Sequence, residues 1–126
     1  MTTITFPRPT SQLLSMNDRA HWSVRALDVS TWRTTAYHFG NMYRNGHQPP
    51  LPEYWCPPSM VVVTLDVPDR RRRDPINFTP CTKALVDGLV SARFWQDDTP
   101  EWVTTCEPVL RVVKGPLHVT VELVAR

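Results

Sequence analysis

The sequence predicts an α+β domain, with about four strands in one sheet and two main helices on one face, in the order β-α-β-α-β-β. Three observations carry this reading. Apolar residues recur at three- and four-residue steps in two separate stretches, an almost unbroken β-branched run lies between them, and two alternating segments follow the second. A chain of 126 residues has material for one hydrophobic core and little for a second, so residues 1–126 are expected to form a single domain.

The opening TITF alternates as a short strand does, and PRPTSQ breaks it ahead of LLSMNDRAHW. From Ser23 onward, Val29, Trp32, Ala36, Phe39 and Tyr43 share one helical face, and this first helix is expected to end near Gly46. GHQPPLPEYWCPP contains five prolines, which remove backbone donors and deny helical geometry, so an extended connector is expected there. MVVVTLDV has the pattern of a buried central strand and delivers Asp66, Asp69 and an arginine run at its end. Thr79 before Pro80 has the form of a helix N-cap with proline at the first helical position. Leu85, Val86, Leu89 and Val90 then supply the apolar face of a helix of about three turns. Beyond RFWQDDTPE, the segments WVTTCEPVLRVV and LHVTVELV are joined by KGP and are expected to pair as an antiparallel hairpin.

The formal charge of +2 excludes a generally basic, histone-like surface, so any affinity for nucleic acid has to come from where the charge sits. Twelve of the 14 basic residues are Arg, whose planar fork suits phosphate, although GC-rich coding produces the same bias. Cys56, Cys81 and Cys106 are far apart and form no C-x-x-C pair, which supports neither a disulfide framework nor a zinc site and leaves free thiols in a reducing compartment. The four histidines lack ligand spacing, and the four glycines form no phosphate-cradling loop, which disfavours a nucleotide cofactor. No leader pattern and no apolar run of membrane-spanning length is present, so a soluble, cytoplasmic protein without membrane contact is expected.

The chemistry concentrates around RRRRDPINFTPCTK. Asp66, Asp69, Asp74, Asp87, Asp97 and Asp98 are interleaved with Arg70, Arg71, Arg72, Arg73 and Lys83. Clustered carboxylates repel one another unless cations lie between them, and Mg²⁺ takes such hard oxygens together with water and substrate phosphate. Arginines beside the cluster would grip a phosphodiester, and a lysine would offset the charge that develops in its transition state. The pattern therefore points to metal-dependent phosphodiester hydrolysis. Plainer roles exist for the same residues: Asp97 and Asp98 as turn formers, Asp87 as an i,i+4 partner of Lys83, and the arginine run as a solvated face. Upstream, Asn17, Arg19, His21 and Trp22 would place an amide, a phosphate fork and an aromatic face on one DNA-facing loop. Helix entry for Asn17 and Asp18, and core packing for Trp22, are the alternatives.

PDRRRRDPIN…KALVDGLVSARFWQDD resembles the RusA family of Holliday junction resolvases, typically encoded by phages and prophages, and LSMNDRAHW is similar to that family's N-terminal Asn-containing segment. The likeness is close over residues 68–98. It implies a homodimer that binds four-way DNA junctions and, with Mg²⁺ or Mn²⁺, makes paired nicks across them in phage DNA recombination, repair or packaging. By position, Asp74 matches the first metal-binding aspartate, Asp98 the last, and Lys83 the catalytic lysine. Asp87 and Asp97 match further acidic positions at the metal. DNA contacts are expected from Asn17, Arg19, Arg70, Arg71, Arg72, Arg73 and Asn77. Two departures stand out: Ile76 occupies the place of the family's second aspartate, and the link from Asn77 to Lys83 is longer, with Pro80 inside it. The second expectation is accordingly a non-catalytic junction- or branched-DNA-binding protein with a degenerate metal site.

Overall fold

The β-branched run becomes the central strand of the sheet in a computed structural model of the chain, which describes residues 1–9 and 12–126. In order, the elements are β1 (Thr2–Pro7), α1 (Trp22–Gly46), β2 (Ser59–Val67), a 3₁₀ turn (Pro75–Phe78), α2 (Thr79–Ser91), β3 (Val103–Thr105), β4 (Val109–Val112) and β5 (His118–Ala125). This is the expected small α+β domain with two main helices. Its sheet is mixed and has five strands rather than about four.

The expected C-terminal hairpin does not form. β5 lies antiparallel to both β1 and β2, whereas β3 and β4 run parallel to β2 along its other edge, so β2 separates the two segments that were expected to pair. WVTTCEPVLRVV thus fills one lane in two pieces. Pro108, lacking a backbone donor, lies in the break between them. Asp66 ties β2 to the strands on both of its sides. Its buried carboxylate accepts from Arg111 Nε on β4 at 2.9 Å and from the His118 backbone N–H on β5 at 2.9 Å, so it bonds to both neighbouring strands. Burial alone would raise the Asp66 pKa; the Arg111 and His118 donors outweigh it and hold the carboxyl below its usual value.

β2 is also less enclosed than its composition suggests. Val61, Val63 and Leu65 are buried, while Val62 and Thr64 on the opposite face are half-buried and Met60 is exposed. Both helices cover the first face. Trp32, Ala36 and Gly40 are the buried positions of α1; Val29, Phe39 and Tyr43 pack at the margin of the core, with the Phe39 ring stacked on Phe6 of β1 at 5.1 Å. α2 buries Leu85, Val86 and Leu89 as expected, with Val90 at the margin. Its start differs from expectation by one residue, because the preceding 3₁₀ turn feeds into it. Phe78 takes the cap position without a side-chain bond, and the Thr79 hydroxyl instead donates to Ile76 O at 2.6 Å. At Gly88 the helices pack tightly: a Cβ there would collide with the Arg33 carbonyl oxygen and stand 2.7 Å from Ala36 Cβ. Among the described residues no helix is long and apolar enough to cross a membrane.

Candidate nucleic-acid and metal site

The site is assembled at the C-terminal end of β2, where the sheet stops and backbone is free to carry side chains outward. Pro75 sets the first position of the 3₁₀ turn, and Asp74 caps it, Oδ1 accepting from Ile76 N at 3.4 Å. The N-terminal arm is laid against α1, α2 and this turn by three bonds in that order: Trp32 Nε1 to Gln12 O at 3.0 Å, Leu14 N to Cys81 Sγ at 3.2 Å, and Met16 N to Asn77 O at 2.8 Å. Burial raises the Cys81 thiol pKa to about 12, so at neutral pH it serves as a packing and hydrogen-bonding group. The last of the three bonds brings Asn17 beside the turn that carries Asp74 and Asn77. The two stretches of sequence that carry the resemblance therefore meet in space.

One turn into α2, Lys83 Nζ lies 3.0 Å from Asp87 Oδ1 and 2.5 Å from Asp98 Oδ2, bridging the helix to the loop beyond it. The hydrogen bond to Asp98 first, and that to Asp87 second, raise the Lys83 pKa; the same ammonium lowers that of Asp98. Asp97 Oδ1 accepts from Asp98 N at 2.7 Å and so shapes the turn that presents Asp98. Behind the pair lies a cavity of about 200 Å³ lined by Thr79, Thr82, Lys83, Asp98 and Thr105. The Thr82 hydroxyl is buried there without a hydrogen-bond partner. Sequence reasoning passed over Thr82 because an isolated threonine inside a helix carries no signal of its own.

Lys83, Asp87 and Asp98 are thus brought together with Asp97 adjacent, while Asp74 stands at the far end of the 3₁₀ turn. Among the described residues, no three acidic, histidine or cysteine groups converge to hold a metal ion. The donor chemistry nevertheless suits Mg²⁺: two carboxylates already face one cation, here an ammonium, and this ion usually draws its remaining ligands from water and substrate phosphate. Ile76, with 48 % of its surface exposed, contributes no donor side chain beside them.

The arginine run lies on the other side of Asp74. Asp69 accepts from Arg71 N at 3.0 Å and pairs with Arg73 at 3.0 Å and Arg71 at 3.3 Å, and these donors lower its pKa, the Arg71 N–H foremost. Arg70 and Arg72 are exposed without a carboxylate partner among the described residues. A groove of about 520 Å³ runs along Arg70, Arg71 and Arg73 toward Glu107. At the arm, Arg19 is exposed, and Asp18 Oδ1 takes the turn role by accepting from Ala20 N at 2.8 Å. His21 caps α1, Nδ1 accepting from Ser23 N at 3.2 Å. Trp22 is 75 % exposed, so its role is not core packing and its face is available for stacking. No family model matches the chain, and neither does any curated protein.

Proposed function

We propose that the protein is a metal-dependent, structure-selective DNA endonuclease that resolves four-way junctions as a homodimer, as its resemblance to the RusA family implies. The observation that best supports this is the Lys83 bridge between Asp87 and Asp98, in a chain that also exposes Arg70, Arg72 and the Trp22 ring. Mg²⁺, or Mn²⁺ in its place, held by Asp87 and Asp98 with Asp97 adjacent and with Asp74 supplied from the other end of the 3₁₀ turn, would supply Lewis acidity to a phosphodiester. Arg70, Arg71, Arg72 and Arg73 grip the backbone, their charge unsatisfied except by Asp69. Lys83 donates to the oxygen on which negative charge develops, which a carboxylate-bound ammonium can reach by exchanging one acceptor for another. Asn17, Arg19 and Asn77 orient the strand, and Trp22 offers a stacking face. A two-fold dimer presents two such sites to a junction of roughly two-fold symmetry, which accounts for paired nicks.

The exposed Ile76 favours a second reading, a junction-binding protein that does not cut. Incubating the protein with end-labelled four-way DNA, with and without Mg²⁺ or Mn²⁺, separates the two. The endonuclease produces paired nicks only with metal, and Asp98→Asn or Asp74→Asn abolishes the nicks while leaving the shifted complex intact. Shifted complexes without nicks across all metals would sink the enzyme reading.

A further inference from the structure

Two of the residues that line the first arginine groove, Arg71 and Arg73, also line a second one, of about 590 Å³. Its other walls include Arg8, Gln12, Ser15 and Phe78. The two grooves differ in charge. Asp69 and Glu107 line the first, but among the described residues no acidic one lines the second, which gathers three guanidinium groups.

Arg8 is held firmly in this wall. Its backbone N–H donates to Leu117 O at 3.0 Å, and its Nη1 donates to Asp66 O at 2.8 Å. No carboxylate pairs with it among the described residues, because Arg111 and His118 N already take up the Asp66 carboxylate. Its Nε is buried without an acceptor. Burial lowers the Arg8 pKa, and the neighbouring Arg73 charge lowers it further. Arg73 is also fixed, its side chain only 12 % exposed and clasped by Asp69. Arg71 and Arg73 share one carboxylate, Asp69, and none pairs with Arg8, so the three guanidinium groups carry more positive charge than their partners offset, and an anion would relieve it at little ordering cost because two of the three are already held in place.

We propose that this groove is a second phosphate seat, in which Arg8, Arg71 and Arg73 take a phosphodiester of the nucleic-acid backbone. The assignment rests on the DNA-binding part of the proposed function, not on cleavage. Because Arg71 and Arg73 line both grooves, a backbone lying across them is gripped in both. Arg8 thereby extends the contact from the β2 end to the N-terminal arm.

Two measurements on the full chain test this. In the first, inorganic phosphate is titrated while the arginine Nε–Hε resonances are followed by NMR; the buried Nε of Arg8 is sheltered from solvent exchange. A saturable shift of the Arg8 and Arg73 signals is expected, and shifts confined to other arginines overturn the seat. In the second, affinity for labelled four-way DNA is measured against salt for the wild type, Arg8→Gln, Arg8→Lys and, as a charge-matched control remote from the groove, Arg126→Gln. Arg8→Gln should weaken binding irrespective of base sequence and reduce the slope of log affinity on log salt by about 1. Arg8→Lys should keep the slope, and Arg126→Gln should leave it unchanged. A slope for Arg8→Gln equal to that of Arg126→Gln overturns the proposal, even if free phosphate binds. Should Arg8→Gln fail to fold, as melting by circular dichroism reveals, the phosphate titration of the wild type decides alone. Absence of any DNA binding by the wild type refutes the proposed function instead, and a phosphate-induced Arg8 shift would then show the seat to be an anion site unconnected with DNA.

Discussion

On the proposed reading, a divalent cation would bind the Asp87 and Asp98 oxygens that hold the Lys83 ammonium, so metal and ammonium would compete for them. Lys83→Ala should therefore bind Mn²⁺ more tightly in calorimetric titration while nicking falls by roughly 10²–10³-fold, the loss typical of removing one transition-state donor. A parallel fall in both quantities would mean that the lysine serves the metal site only as scaffold. Ile76 invites the opposite experiment. It is about half exposed at the head of the 3₁₀ turn, so Ile76→Asp carries little folding penalty and adds a carboxylate where the resemblance expects one. Its Mn²⁺ affinity should rise by about tenfold or more, because ligand charge count sets affinity for hard cations; an unchanged affinity would place position 76 outside the metal's reach. The Lys83–Asp87 pair was legible from its i,i+4 spacing. The Lys83–Asp98 contact spans a helix end and a turn, and only the resemblance hinted at it. Arg8 lay in a proline-flanked break that sequence alone marks only as an interruption.

At the level of elements, periodicity located both helices and a β-branched apolar run located β2, since each signal extends over many residues. It did not reveal which helix faces meet, and Gly88 settles that. Gly88→Ala forces a methyl between α2 and the α1 backbone, and should cost about 1–3 kcal/mol, read as a lowered urea midpoint with unchanged m-value. No loss would mean that α1 can move away freely. The failed hairpin shows where local pattern runs out. KGP between two alternating segments satisfies turn chemistry, but local pattern does not register that Asp66, a buried carboxylate on a third strand, takes donors from both segments. Phe94 and Trp95 make the same point. They lie in a short loop after α2, yet both are wholly buried, because the aromatic cluster of Tyr43, Trp55 and Phe94 closes that end of the core.

For the molecule as a whole, Asp66 also predicts how acid acts. Its native pKa lies below the usual 3.8, so the stability it contributes is complete above that value and is lost as pH falls through the native one. Asp69 and Asp98 shift in the same direction and add to the same limb. Urea unfolding from about pH 5 to about pH 2.5 should show a steep loss in the wild type and a shallower one in Asp66→Asn; equal slopes would assign the acid limb elsewhere. The sheet order has a consequence during synthesis as well. β1 pairs only with β5, and all three strands that flank β2 come after it in the chain. As the polypeptide leaves the ribosome, the apolar β2 has no strand partner until β3 emerges, and β1 has none until β5 does. Once α2 is made, it and α1 are the helices available to cover β2, so their close packing at Gly88 is expected to limit its exposure before the sheet is complete.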